Sequence, residues 1–176
     1  AGALLALFLL QHSRRDARRD AAGDLVLLER QDRSRWDHAA IAEGLHILMR
    51  TTVSGPYALQ ARIAACHATA RTAAGTDWRS IAHWYDELVL RHPSPMVKLN
   101  RVVAHGYAYG TDVGLLMLAG VRDVPGVDAV EADLLLRAGN LVRAEELFRR
   151  AAGTAPSEVE RRALLDRARR LRSGDG

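Results

Sequence analysis

GNLVRAEELFRRAAGTAP, residues 139–156, carries the strongest structural pattern of the chain. Ala144, Phe148 and Ala151 recur at spacings of three to four residues, which places them on one face of a helix. The small alanines would let a second helix approach closely, and Phe148 would fill the groove between the two helices. Pro156 cannot continue a helix, so the chain is expected to turn back after it. This stretch predicts one helix of an antiparallel pair.

A second, more degenerate copy of the pattern lies one helix pair earlier. Ile81, Tyr85, Leu88 and Pro93 occupy the same relative positions, although Ile81 and Leu88 are larger than alanine. The spacing resembles the second helix and terminal proline of a tetratricopeptide repeat, whose unit is about 34 residues. An unrelated helical bundle would also place Ala and Leu at such spacings, but repeats are the favoured interpretation. We therefore predict an all-α fold of eight to nine helices, stacked as antiparallel pairs in a short, right-handed, tetratricopeptide-like superhelix.

The composition supports a helical, soluble and reduced protein. Hydrophobic residues make up 48% of the chain, charged residues 26% and aromatic residues 5%, and the apolar mass is mainly Ala, Leu and Val. The lone Cys66 excludes an internal disulfide framework and a multi-thiolate zinc site, which favours a cytoplasmic protein. The net charge of +4 permits contact with nucleic acid but does not require it.

The N-terminal part is predicted to contain four helices. The apolar run from Ala1 to Leu10 is too short to span a bilayer and is interpreted as a buried helix. Because the chain lacks an initiator methionine, it is expected to be a fragment of a longer protein. The predicted helices are 2–19, 34–50 with a capping-box-like Ser34 and Asp37, 56–72 with Pro56 in the first position, and 77–91; the run 25–28 is left unassigned. The buried face of the second helix would comprise Ile41, Leu45, Leu48 and Met49.

The C-terminal part is predicted to add five helices. Ser94 and Pro95 would start the first of them as N-cap and first helical residue. The predicted ranges are 95–105, a helix beginning at Thr111, 127–138, 140–152 and 157–172, followed by a frayed end at 173–176. Within one domain, residues 1–75 would be family-specific helices, 76–156 the repeat-like pairs, and 157–176 the capping helix and tail.

No catalytic constellation emerges from the sequence. Glu43-x-x-His46 has the spacing of a di-iron ligand pair, but the second copy that such a site needs is missing. Cys66 and His67 are adjacent and would point about 100° apart on a helix, so they cannot form a nucleophile and base. We predict that the chain is not an enzyme and uses neither cofactor nor metal; a helical enzyme or metal-binding protein using its His and Glu residues is the alternative.

The last helix is strongly basic. Its arginines are Arg161, Arg162, Arg167, Arg169, Arg170 and Arg172. They could meet DNA phosphates, which would make the chain an auxiliary DNA-binding module, or an acidic protein. They could also form the solvated face of a terminal cap whose Leu164, Leu165, Ala168 and Leu171 seal the repeats, and this interpretation is favoured. The same alternatives apply to Arg14, Arg15, Arg18 and Arg19.

Several strings, spread over nearly the whole chain, resemble one group of bacterial extracytoplasmic-function (ECF) sigma factors with a tetratricopeptide-like C-terminal extension. The strings are Gly23-Asp24-Leu25-Val26-Leu27-Leu28, Gln31-Asp32-Arg33-Ser34-Arg35-Trp36-Asp37, Ile41-Ala42-Glu43-Gly44, Gly55-Pro56-Tyr57-x-Leu59-Gln60-Ala61, Ile63-Ala64-Ala65-x-His67-Ala68, Thr76-Asp77-Trp78 and Pro93-Ser94-Pro95-x-Val97-x-Leu99-Asn100-Arg101. The chain departs from the pattern at 105–110 and in the shortened segment 121–126.

The resemblance implies a regulatory, non-catalytic interaction domain. Its partners would be the sigma modules of the same full-length protein and the RNA polymerase core, and promoter DNA would be bound only through N-terminal modules outside this chain. No membrane and no small-molecule substrate is expected. The interaction candidates are Asp32, Arg33, Ser34, Arg35, Trp36, Asp37, Tyr57, Gln60, His67, Asp77, Trp78, Asn100 and Arg101.

The first six of these residues leave two interpretations open. Asp32 and Asp37 flank Arg33, Arg35 and Trp36. They could form a corner that fixes two helices through Arg–Asp pairing beneath an aromatic lid, or they could form a surface for the sigma modules. The structural corner is favoured, because charge-paired arginines commonly lock turns.

Overall fold

The computed structural model describes residues 2–52 and 55–173. Over these ranges the chain forms nine α-helices and no strand, with one isolated antiparallel bridge between Arg19 and Leu25. The helices are α1 (Gly2–His12), α2 (His38–Met49), α3 (Pro56–Thr69), α4 (Trp78–Arg91), α5 (Pro95–Tyr109), α6 (Thr111–Met117), α7 (Val127–Arg137), α8 (Leu141–Gly153) and α9 (Glu158–Ser173). The predicted all-helical fold is confirmed.

The chain divides into two compact units, which meet in sequence between Ser94 and Pro95. The N-terminal unit contains α1 to α4, and the C-terminal unit contains α5 to α9. The finer subdivision predicted at residues 75 and 156 remains a prediction. The predicted tail from residue 174 onward lies outside the described residues.

In the N-terminal unit, α1 packs against both α2 and α3, and α3 packs against α4. The core beneath α1 contains Ala6, Leu10 and Leu48. Gly44 lets α1 and α2 approach closely, because a Cβ atom there would lie 3.0 Å from the Cγ atom of Leu10. Small residues at this crossing therefore set how near the two helices can come.

The first helix is shorter than predicted: α1 ends at His12 and does not continue to Arg19. The Ser13 hydroxyl donates to the carbonyl of Leu10 over 2.8 Å. The Ser13 carbonyl accepts the amide of Asp37, also over 2.8 Å. Because this carbonyl serves a tertiary hydrogen bond, the α-helical ladder stops and the chain continues as a 3₁₀ turn at Arg15–Ala17.

The predicted start of the second helix is corrected by three residues. Asp37 is the N-cap of α2, and its carboxylate accepts the amide of Ala40 over 2.9 Å. Ser34 lies instead in a 3₁₀ turn, Arg33–Arg35, that is capped by Asp32. The 3₁₀ turn and α2 are separate because Trp36, which lies between them, has an extended backbone and a buried side chain.

On α2 the predicted buried face is correct in part. Ile41 and Leu48 are buried and Leu45 is partly buried in the core. Met49, however, is 77% exposed, so its predicted burial is wrong. Met49 is the last residue of the helix, and Leu48 before it is the last residue that faces the core.

Proline and aspartate mark the next helix starts as predicted. Pro56 is the first residue of α3 and follows Gly55, whose φ of 91° suits glycine. Asp77 caps α4, and Pro95 is the first residue of α5. Two helix ends differ from the prediction, since α3 stops at Thr69 and α5 extends to Tyr109.

The C-terminal unit contains the predicted helix pair. Helices α7 and α8 pack together, and α9 packs on α8. Ala144, Phe148 and Ala151 are all buried in one cluster, as their spacing predicts. Leu164 and Ala168 of α9 complete this cluster, which agrees with a capping helix. In the earlier copy, Ile81 and Leu88 are likewise buried.

A glycine contact joins α5, α6 and α7 within the same unit. A Cβ atom on Gly106 would lie 2.5 Å from the Cδ2 atom of Leu134. One on Gly114 would lie 3.0 Å from the Cα atom of Gly106. Two helices can approach at this distance only through glycine, so Gly106 and Gly114 set how closely α5 and α6 pack.

Candidate functional site

The family-like string around Trp36 forms a structural corner of the N-terminal unit. The Trp36 side chain is only 3% exposed. The guanidinium carbon of Arg33 lies 4.4 Å from the centre of its ring system, and that of Arg14 lies 5.9 Å away. Two cations thus contact one buried indole, whose negative π face attracts them.

Arg33 also closes the C-terminal end of α3. Its Nη1 atom donates to the carbonyls of His67 and Ala70, each over 2.9 Å. The last carbonyls of a helix lack helical donors, and a cation near them also complements the helix dipole. This contact explains why α3 ends earlier than predicted, since the chain leaves the helix where Arg33 binds it.

The string thus forms a corner between the start of α2 and the end of α3, but not through the predicted Arg–Asp pairing, and its predicted role as an interaction surface stays a prediction. Arg33 binds main-chain carbonyls in place of the predicted Arg–Asp pairing. Asp32 and Asp37 act as caps of the 3₁₀ turn and of α2. Hydrogen bonds from Ser34 lower the pKa of Asp32, which keeps this cap ionised.

His67 lies in the corner as a neutral side chain. Its ring packs edge-on against Trp78, with the ring centres 5.3 Å apart. Burial, together with the charges of Arg14 and Arg33, lowers the pKa of His67 to about 4. Burial likewise lowers the pKa of Arg14 to about 10, so Arg14 stays charged at neutral pH. The corner is consequently positive, and the imidazole adds no further charge to it.

One polar atom of the corner is buried without a partner: among the described residues, no acceptor binds the Nε1 of Trp36. A buried donor that lost its water and gained no acceptor destabilises the fold by about 1–3 kcal/mol. The ring itself, the two arginines and the surrounding apolar side chains must offset this cost.

The remaining candidates do not all converge on the corner. Trp78 does, through His67, and Asp77 caps α4 beside it by accepting from Ser80. Tyr57 and Gln60 lie near the opposite end of α3, with Tyr57 50% exposed. Asn100 and Arg101 lie on α5 in the other unit. The structure thus brings Arg33, Trp36, His67 and Trp78 together and places the other candidates elsewhere.

A surface that the sequence did not predict lies on the outer side of α1. Leu4, Leu5 and Phe8 are 50%, 48% and 58% exposed. The predicted burial of the run 1–10 is therefore correct only for its inner side, which includes Ala6 and Leu10. The sequence did carry a signal for this surface. The helix α1 is apolar on all sides, whereas a helix that buries only one side needs apolar residues on that side alone.

An open groove of about 780 Å³ continues this apolar stripe. Its apolar lining is provided by Phe8 of α1 and Leu25. Its charged lining comprises Arg15, Arg18, Arg19, Arg35 and Asp16, and Gln11 and His12 complete it. Phe8 stacks on His12 with the ring centres 5.2 Å apart. We call this surface, from Leu4 and Leu5 to the four arginines, the α1 groove.

Two of the arginines are held in place by the main chain. Arg18 donates to the carbonyl of Gln11 and Arg19 to that of Gly23, each over 2.7 Å. Arg15 forms an exposed ion pair with the neighbouring Asp16. The groove therefore presents four guanidinium groups and one carboxylate, which gives it a net positive potential.

In contrast, the arginines of α9 are largely engaged within their own unit. Arg167 lies over the ring of Phe148 and pairs with Asp133. Arg161 pairs with Glu158, and Arg170 pairs with Asp166. This pairing reduces the positive potential that α9 presents to phosphates.

The histidines and the cysteine form no evident reactive centre. Over residues 2–52 and 55–173, no group of three or more His, Cys, Asp and Glu side chains is arranged to hold a metal ion. Burial raises the pKa of the Cys66 thiol to about 11, so the thiol is protonated at neutral pH. None of the described helices has both the length and the apolar character needed to cross a membrane.

Comparison with known proteins gives two matches. Residues 1–52 match a family of unknown function (DUF6596), and these residues contain α1, α2 and the α1 groove. The chain is also 40% identical, over 164 residues, to an uncharacterized protein of Rhizobium meliloti (strain 1021). This alignment covers 89% of the chain but only 39% of the relative. No solved structure matches the chain significantly.

Proposed function

We propose that this chain is a non-catalytic regulatory domain of an ECF sigma factor. It would modulate transcription initiation by contacting the sigma modules of the same full-length protein or the RNA polymerase core, in the cytoplasm. Promoter DNA would be recognised by modules outside these residues. The observation that carries the proposal is the α1 groove, an exposed apolar stripe beside four arginines, which has the character of a protein-docking surface.

Two further observations support this proposal. One of the strings that resemble the sigma-factor group, residues 31–37, forms the corner, and its Arg35 also lines the groove. In addition, the chain spans about two-fifths of the length of its curated relative, which leaves room for further modules in a protein of that size.

A pull-down tests the proposal directly. The purified chain is immobilised and offered, separately, the remainder of its full-length protein and core RNA polymerase. We expect one of the two to be retained in a stoichiometric amount after washing at moderate salt. Retention of neither would overturn the proposed function.

A transcription assay then tests whether the contact is regulatory. Run-off transcription with core polymerase and the full-length protein is compared with the same reaction after deletion of the region corresponding to this chain. We expect the transcript yield to change by roughly tenfold, the effect of a contact that contributes about 1.4 kcal/mol. Equal yields would show that the domain does not regulate initiation.

A further inference from the structure

We propose that the α1 groove docks an acidic, amphipathic helix of a partner protein. The inference deepens the proposed function and rests on it, and it commits to one occupant that is defined by its chemistry. It specifies the chemistry of the occupant: one stripe of aliphatic side chains, flanked by Asp or Glu. The groove itself defines both requirements.

The aliphatic stripe is required by the outer side of α1. Leu4 and Phe8 are four residues apart, and Leu5 and Phe8 are three apart, so all three lie on one side of the helix. Each is about half exposed. The stripe leads into the groove at Phe8, where Leu25 adds apolar surface from the following segment. Water contact with these side chains would be relieved by aliphatic residues of another helix.

The acidic flanks are required by the arginines. Arg15, Arg18, Arg19 and Arg35 line the groove, against Asp16 as its acid. The main-chain hydrogen bonds of Arg18 and Arg19 restrict both side chains, so little conformational entropy remains to be lost on binding. A guanidinium group binds a carboxylate through two parallel hydrogen bonds, which makes an acidic partner the complementary one.

The dimensions favour a helix as the occupant. α1 contains 11 residues, which corresponds to a length of roughly 16 Å. An amphipathic helix that lies along it would present residues at i, i+3, i+4 and i+7 to the apolar stripe. A nucleic-acid backbone would satisfy the arginines but would leave the leucines exposed, so the arrangement favours protein over nucleic acid.

The test uses the full chain and a designed probe. The probe is a fluorescent helical peptide of about 18 residues, or five turns, with a leucine stripe flanked by glutamates. Two matched peptides replace either the leucines with serine or the glutamates with lysine. We expect fluorescence anisotropy to report binding of the first peptide, with at least a roughly tenfold loss of affinity for each of the others.

Substitutions in the chain locate the binding surface. Arg35→Glu and Phe8→Ser change exposed side chains and should each weaken binding of the probe by roughly tenfold. Arg172→Glu on α9 and Leu116→Ser on α6 are matched controls at exposed positions, and both should bind as the native chain does. Circular dichroism verifies that all four variants are folded.

The outcomes separate this inference from the proposed function, because the peptide assay contains no polymerase. Equal binding of the three peptides, or equal weakening by the control variants, would overturn the docking proposal. A third outcome is that duplex DNA displaces the probe, and that Arg35→Glu weakens DNA binding whereas Phe8→Ser does not. This outcome would overturn the docking proposal in favour of a nucleic-acid surface. Specific peptide binding together with a negative pull-down and unchanged transcription would leave the inference supported and the proposed function refuted.

Discussion

The two units are stabilised by different kinds of contact. In the C-terminal unit, the buried cluster of α7, α8 and α9 is apolar, and Phe148 and Ala144 at its centre are fully buried. In the N-terminal unit, the corner depends on a buried indole, two arginines and a neutral histidine. The C-terminal cluster depends on the fit between apolar side chains, and the corner depends on the contacts that its polar and charged groups make.

This difference distinguishes charged groups that stabilise the fold from a surface that is available to a partner. The C-terminal unit pairs many of its arginines with its own acids, as in Arg150 with Asp128. The N-terminal unit retains an exposed apolar stripe and a groove with an excess of arginine. An excess of positive charge beside exposed apolar surface marks the region that is available for a partner.

The largest expected effect lies in the apolar cluster. Phe148→Ala should lower the free energy of unfolding by about 3–5 kcal/mol, because it leaves a cavity and removes the ring beneath Arg167. Urea unfolding followed by circular dichroism measures the loss. Val142→Ala on the same helix is the control: Val142 is 73% exposed, and its replacement should change stability by less than about 0.5 kcal/mol. Similar losses for both variants would contradict the apolar account of the C-terminal unit.

Acid should weaken the N-terminal unit selectively. The pKa of His67 falls from 6.5 to about 4 on folding, so the unfolded chain binds the proton more tightly. The contribution of neutral His67 to the stability of the fold is complete above pH 6.5 and is lost as the pH falls toward 4. The loss is at most about 3 kcal/mol. The free energy of unfolding, measured at a series of pH values, should fall less steeply toward acid for His67→Gln than for the native chain.

The exposed His92 provides the matched control for this pH series. His92→Gln replaces a histidine outside the corner, so a change of slope that is specific to His67→Gln would support the role of the corner. An unchanged slope for His67→Gln would remove the histidine from the acid response of the corner.

Removal of the α3 cap should have an intermediate effect. Arg33→Ala deletes two hydrogen bonds from a charged donor and should cost about 2 kcal/mol. Hydrogen exchange with mass spectrometry should show faster exchange near residues 67–70 and unchanged exchange in the C-terminal unit. Arg35→Ala, in the same turn but exposed, is the control and should change stability by less than about 0.5 kcal/mol.

The smallest effect is expected for the indole. Trp36→Phe retains an aromatic ring for Arg33 and removes the buried Nε1 donor that lacks an acceptor. The lost packing and the relieved donor oppose each other, so stability should stay within about 1 kcal/mol of the native value. Urea unfolding provides the measurement. A loss as large as that of Phe148→Ala would mean that shape dominates the corner as well.

The elements that could be predicted are those with local causes. Asp77, Pro56 and Pro95 begin helices because capping and a fixed φ act within one turn of the chain. The pair of α7 and α8 was predictable because its alanines and Phe148 recur with helical spacing. The end of α1 was not, since it depends on a hydrogen bond between Ser13 and Asp37, which are distant in sequence.

The candidate site divides in the same way. Arg33, Trp36, His67 and Trp78 were identified from the sequence through a family resemblance, but their contacts were not. The α1 groove was missed because burial of α1 on one side depends on which helices pack against it. The arginines at 14–19 were noted, yet nothing local placed Phe8 and Leu25 beside them.

The sequence by itself determined the helical class, most helix starts and the apolar cluster around Phe148, because propensity, capping and periodicity act over a few residues. Only the tertiary structure decided that Arg33 caps α3, that His67 is neutral, and that Leu4, Leu5 and Phe8 face outward beside four arginines. These properties depend on which distant segments exclude water from a side chain, and no local pattern encodes that.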